Sequence, residues 1–144
     1  MMDKKECLDL LRNLFKTSPF VQLCGIRIDE VTCGSARLSM EMEKKKSNIS
    51  GYMHGGALST FIDNAAGTAC RTIGAEVVTL SATVNYVRGV KAERKIKAES
   101  RIVEKTHRHV FVEVDVRNEQ NEVLAKGLLV MYCVGKDDRV PDKW

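Results

Sequence analysis

The sequence predicts an α+β domain in which an antiparallel sheet wraps one long central helix, with a short helix at the N-terminus. Three observations carry this. A helix-period apolar stretch runs from near Gly55 to Ile73. Four segments of strand character follow it with short connections, and two more precede it. A helix with one broad apolar stripe and strands with one apolar face satisfy each other when packed in two layers. The 144 residues suit one domain, 1–144, with one core.

Taken in order, Asp3 is a candidate N-cap, and Cys7, Leu8, Leu10, Leu11, Leu14 and Phe15 recur at helical spacing behind it. Thr17-Ser18-Pro19 ends that helix. Gly25 to Val31 and Ala36 to Met42 read as two strands joined by a turn at Cys33-Gly34. In the second, Ala36, Leu38, Met40 and Met42 alternate with polar residues. Lys44 to Lys46 reads as a solvated loop. Ala57, Leu58, Phe61, Ile62, Ala65, Ala66, Ala69, Cys70 and Ile73 then mark a long helix face, with Gly74 as its stop. Four strands follow. Val78, Leu80, Ala82, Val84 and Tyr86 form the apolar set of the first, Ile96 to Ile102 of the second, and Val110 to Val116 of the third. Val123 to Val134 is apolar on both sides and reads as a central strand. The residues at 118–121, Asn-Glu-Gln-Asn, supply a hairpin turn.

The net charge of +4 requires neither nucleic acid nor a membrane and tolerates an anionic ligand. The five cysteines are odd in number and scattered, as expected of reduced thiols in a cytoplasmic protein. No signal peptide is legible at the N-terminus, and no apolar run is long enough to cross a bilayer.

The stretch from Asn48 to Cys70 raises a chemical question, because Asp63 interrupts a helix that reads as buried on nearly every side. Gly56, Ser59, Thr60 and Gly67 lie three, four and seven positions from it, so it sits on a stripe of small residues. An acid there can serve as a general base, or can bond hydroxyls and hold structure. At the helix start, Gly55 and Gly56 let a ligand oxygen approach free backbone N–H groups, as a developing oxyanion requires. Gly55 and Asp63 are ~12 Å apart along one helix. One reaction can use both only if they come from antiparallel helices of two subunits, which implies a two-fold homodimer.

The segment Asn48-Ile-Ser-Gly-Tyr-Met-His-Gly-Gly, with Asp63 nine residues after His54, resembles the motif of hotdog-fold thioesterases of the phenylacetate-pathway (PaaI-like) type. Asn48, Gly51, His54, Gly55, Gly56 and Asp63 fit every position, and the strand carrying Thr79 and Tyr86 is similar to the one that follows in the family. The element order extends the resemblance over nearly the whole chain. The resemblance implies a hotdog fold and hydrolysis of an acyl-coenzyme A thioester to carboxylic acid and coenzyme A, with no cofactor. It implies that the Gly55 amide polarises the carbonyl, helped by Asn48. Asp63 of the facing subunit would activate water or attack directly, and Thr79 would orient that water or Asp63. The family often has Ser where Thr79 stands. A homodimer, further paired as a dimer of dimers, is the expected assembly.

Other residues carry two readings each. His54 either binds the thioester or bonds backbone and fixes its loop. Asn48 is also a common turn residue. Arg88 and Lys91, with Arg94, Lys95 and Lys97 near them, either contact the coenzyme A phosphates or form a hydrated hairpin. Gly56 belongs with His54, Arg88 and Lys91 in the expected substrate-binding set. His107 and His109 would share a strand face, but no third ligand is near and no metal is expected. Cys70 reads as an inert buried thiol. Two other functions compete. A non-catalytic acyl-CoA sensor would not need Asp63, and a hotdog hydratase needs an Asp and His on a different loop pattern.

Overall fold

The computed structural model describes residues 1–91 and 94–144. Helix α1 (Lys4–Lys16) begins at a capping box: the Glu6 amide donates to Asp3 Oδ1 and the Asp3 amide to Glu6 Oε2, both at 2.9 Å. Its buried stripe is Cys7 and Leu11. The helix closes at its C-cap Thr17, and Pro19 starts another, α2 (Pro19–Cys24), which periodicity alone does not predict. Proline is pre-organised for a first helical turn, and Ser18 caps it. Gly25 therefore belongs to the left-handed end of α2, at φ +67°, and not to the first strand.

Strands β1 (Arg27–Thr32) and β2 (Ser35–Glu41) form a hairpin through Cys33 and Gly34. Lys44–Lys46 forms a single 3₁₀ turn. The expectation of a solvated loop fails at Lys46, whose side chain is 6% exposed. Its ammonium donates to the Glu41 carbonyl at 2.6 Å and pairs with Glu43 at 3.4 Å. A buried cation needs such partners, and these fix the turn that leads to the long helix.

Helix α3 (Gly55–Arg71) buries Leu58, Phe61, Ile62, Ala65, Ala66, Ala69 and Cys70, the stripe legible in the sequence. It lies against a six-stranded antiparallel sheet completed by β3 (Ala75–Tyr86), β4 (Lys95–Lys105), β5 (His109–Arg117) and β6 (Val123–Lys136). Val110, Val112, Val114 and Val116 face α3 from β5 with no exposed surface, each burial contributing about 2 kcal/mol. Gly127 of β6 lies directly beneath α3. A Cβ there would come within 2.7 Å of Ile62 Cγ2, so the helix can settle on the sheet only over glycine. Asn118 Oδ1 accepts from the Gln120 and Glu122 amides in the β5–β6 turn, and Asn121 takes φ +63°.

The strand order is β1-β2-β4-β5-β6-β3. Chain order alone would set β3 beside β4; instead β3 pairs with β6 and forms one edge of the sheet, while β4 pairs with β2. The apolar set expected on β3 is also corrected. Val78 and Leu80 are 52% and 59% exposed. The register against β6 shifts between Thr79 and Ser81, and this irregularity exchanges the faces of the strand. Val77 and Thr79 face α3 before it; Ala82, Val84 and Tyr86 face α3 after it. His107 lies in the β4–β5 turn, so it shares no strand face with His109, whose ring meets Tyr132 edge-on.

Candidate functional site

The loop before α3 is built by backbone bonding. The His54 amide donates to the Lys46 carbonyl and the Met53 amide to Val90, both at 2.7 Å. Asn48 Oδ1 accepts from the Ser50 and Tyr52 amides at 2.9 and 3.1 Å, which folds 48–52 into a turn. The turn reading of Asn48 is therefore correct for its side-chain oxygen, while its side-chain Nδ2 makes no hydrogen bond among the described residues.

His54 is the N-cap of α3: its Nδ1 accepts from the Gly56 amide at 2.8 Å. This is the loop-fixing role, and it uses up the Gly56 N–H that the sequence offers to a ligand. The Ala57 and Leu58 amides both turn to the His54 carbonyl. Gly55 is left as the one first-turn residue whose N–H has no partner among the described residues. A helix N-terminus carries partial positive charge, so this amide is suited to an anionic oxygen.

Tyr86 was not given a site role by the sequence analysis. Its hydroxyl donates to the Gly55 carbonyl at 3.1 Å and is 2.5 Å from Ser59 Oγ. A Cβ on Gly55 would lie 3.4 Å from the Tyr86 ring. The alternation of β3, counted without its irregularity, puts Tyr86 and Thr79 on opposite faces; only the family resemblance names the two together. An open cleft of about 450 Å³ runs past Gly55, Asn48, Tyr52, Tyr86 and Arg88. Arg88 Nη1 donates to the Val123 carbonyl at 2.7 Å, and its Nε lies 3.5 Å from Glu122. The Lys91 ammonium lies 5.4 Å from the Tyr52 ring centroid. Both cations stand exposed at the border of this cleft.

Asp63 differs from the expectation of a buried acid. It is exposed, on the flank of α3 that meets β3. Thr79 Oγ1 donates to Asp63 Oδ1 at 2.5 Å, so the two predicted residues are brought together. Asp63 separates two depressions. One, of about 600 Å³, is lined by Ser59, Thr60, Ala82, Val84 and Tyr86 beside Phe20; the other, of about 330 Å³, lies between α3 and the α1–α2 elbow. Within one chain, Asp63, with Thr79 bonded to it, lines different clefts from Gly55 and Asn48. Burial pushes the Cys70 thiol up to about 12 and Cys7 to about 11, so neither ionises near neutrality. Among the described residues no group of three or more His, Cys, Asp or Glu could hold a metal, and no helix is long and apolar enough to cross a membrane.

Comparison with known proteins agrees with this architecture. The E. coli PaaI protein from the phenylacetic acid degradation operon superposes with a TM-score of 0.87 at 19% identity, covering 92% of this chain and 96% of that one. The protein smu.793 from Streptococcus mutans, bound to acetyl CoA, gives a TM-score of 0.76 at 26% identity over 78% of this chain and 91% of its own. Human acyl-coenzyme A thioesterase 13 is 24% identical over 123 residues, 83% of this chain and 88% of that protein. The model of the thioesterase superfamily matches residues 50–125, more than half of the chain. From its sequence match, its antiparallel sheet around α3 and the loop that leads into that helix, the chain belongs to the thioesterase superfamily of hotdog fold and is a thioester hydrolase.

Proposed function

We propose that this protein is an acyl-coenzyme A thioesterase whose site is shared between two copies of the chain. One observation carries the reading: the Gly55 amide is free at the mouth of one cleft, while the Asp63–Thr79 pair stands exposed beside another. The two are ~12 Å apart on one rigid helix. A second copy with its α3 antiparallel would set its Gly55 beside this Asp63. The outer edge of β3, twelve residues long, offers the backbone groups through which two sheets can join. The relatives named for acyl-coenzyme A and bound to acetyl CoA support the choice of thioester.

In this reading the thioester carbonyl accepts a hydrogen bond from the Gly55 N–H, with the Asn48 side-chain Nδ2 as second donor. Asp63 of the facing subunit removes a proton from water as it attacks; in the covalent alternative it attacks the carbonyl carbon itself, expelling coenzyme A, and water then hydrolyses the resulting anhydride. Thr79 holds that carboxylate. Coenzyme A leaves as its thiol and the acyl group as a carboxylate. Arg88 and Lys91 border the Gly55 cleft, where they are available to the phosphates of coenzyme A. Gly56 shapes the loop for His54 and does not donate to substrate.

The test uses a panel of acyl-CoA substrates. Asp63→Ala is expected to lose ~10²-fold or more in turnover. Gly55→Pro is expected to lose ~10²-fold because it removes one oxyanion donor. Proline is well tolerated at this first helical position, and His54 before it is already extended at φ −61°, ψ 134°. Mixed dimers of the two variants should regain activity that neither parent has. Unchanged turnover in folded Asp63→Ala, or no complementation in proven heterodimers, would overturn the shared site.

A further inference from the structure

Gly67 stands in the middle of α3, where a glycine weakens a helix and another residue would be preferred. Close packing does not explain it: a Cβ built there meets nothing within 4 Å. The space above it is the 330 Å³ cleft between α3 and the α1–α2 elbow. One turn toward the start of α3, Asp63 stands in the same cleft.

Resting on the proposed thioesterase reading, we infer that this cleft receives the acyl group and that Gly67 sets how large that group can be. An acyl chain leaving a carbonyl held at Asp63 has two depressions open to it. The larger one is lined by Ser59, Thr60 and the inner face of β3, the surfaces that a β3-joined second copy approaches. The smaller one is walled by the chain's own Leu11, Leu14, Phe15 and Val21 and by Met131 of β6. This wall is mostly apolar and comes chiefly from the N-terminal helices, with Thr17 and Ser18 at their elbow. The opposite wall, on α3, is Asn64, Gly67, Thr68 and Arg71.

Asn64 and Thr68 already spend a donor on α3 carbonyls, at 2.9 and 2.7 Å, and Arg71 pairs with Glu76 at 3.6 Å. Among the described residues the one cation lining the cleft, Arg71, is paired with Glu76, and Asp63 in the same cleft repels an acyl carboxylate. Its volume is at the small end of ligand pockets, which run from about 300 to 1,000 Å³. The class expected is an uncharged, compact acyl group, of a single ring or a medium chain. Gly67 is a specificity-determining position, because each carbon added there subtracts from the space left to the substrate.

The experiment measures kcat/KM for acetyl-, hexanoyl-, benzoyl-, decanoyl- and succinyl-CoA with wild type, Gly67→Ala and Gly67→Leu. Replacing glycine within the helix should leave the thermal midpoint unchanged or raised. Gly67→Leu should lower kcat/KM for benzoyl- and decanoyl-CoA by at least tenfold relative to acetyl-CoA, with Gly67→Ala between. Phe15→Ala, on the opposite wall, should move the preference toward decanoyl-CoA. Equal effects of Gly67→Leu on all substrates, or none, would overturn the inference while leaving the thioesterase reading intact. Dissociation of the dimer with loss of every substrate together would also overturn it, by showing that Gly67 faces the second copy. A wild-type preference for succinyl-CoA would overturn the uncharged class. Failure of wild type to hydrolyse any acyl-CoA would defeat the proposed function itself.

Discussion

Asp63 and Thr79 are sixteen residues apart in the chain, yet their side chains meet at 2.5 Å. A carboxylate that rotates freely spreads its oxygens over many positions, and a hydroxyl donor on one of them fixes the other. In the proposed mechanism Thr79 is therefore a positioning residue, and its worth should appear in turnover and not in binding. Thr79→Val keeps the shape and removes the donor. It should lower kcat about tenfold, ~1.4 kcal/mol of barrier, with KM little changed. Thr79→Ser restores the hydroxyl and should return kcat close to wild type. A loss in KM alone, or a Ser variant no better than Val, would show that the hydroxyl serves packing. His54 shows the converse at the residue scale. Its imidazole has the chemistry of a catalyst, but its Nδ1 is committed to the Gly56 amide.

That commitment matters most for the helix. The first turn of α3 begins with two glycines, which cost backbone entropy and have no side chains to cap the N-terminus. The preceding residue supplies the cap, and the 3₁₀ turn at Lys44–Lys46 holds that residue in place through the Lys46 carbonyl. His54→Ala should destabilise the fold by about 1 kcal/mol in urea denaturation, as loss of an N-cap does, whereas His54→Asn should recover most of it. Equal stability of all three proteins would mean that the loop, not the imidazole, determines where α3 starts. The same element scale explains β3. Its register shift places Thr79 and Tyr86 on one face, with Thr79 reaching Asp63 and Tyr86 reaching Gly55 along the same helix. An unbroken alternation would have turned one of them away.

At the scale of the molecule, the outer face of the sheet is divided. Toward β2 and β4 it carries ion pairs, Arg37 with Glu30 at 2.7 Å and Arg101 with Glu113 and Asp115. Toward β3 and β6 it carries Val78, Leu128 and Val134, all about half exposed or more. An apolar sector beside a charged one on the same sheet suits association of two dimers back to back, the dimer of dimers anticipated for this family. Leu128→Lys combined with Val78→Lys should halve the mass measured by light scattering while hydrolysis per subunit persists, because the proposed site lies within each dimer. An unchanged mass would assign that sector no role in assembly.

Periodicity sufficed for the buried stripe of α3, the valine face of β5 and the turn at 118–121, because 3.6- and 2-residue repeats follow from backbone geometry. Motif spacing likewise put Gly55 at a helix start and Asp63 two turns further. Other features depended on long-range packing: the second helix after Pro19, the seat of β3 beside β6, the buried Lys46, and the Tyr86 contact with Gly55. Each of these balances local preference against contacts between residues distant in the chain. The exposure of Asp63 belongs with them. A helical repeat says which residues share a stripe, but only the assembled sheet decides which stripes it covers and which it leaves for substrate or a second copy.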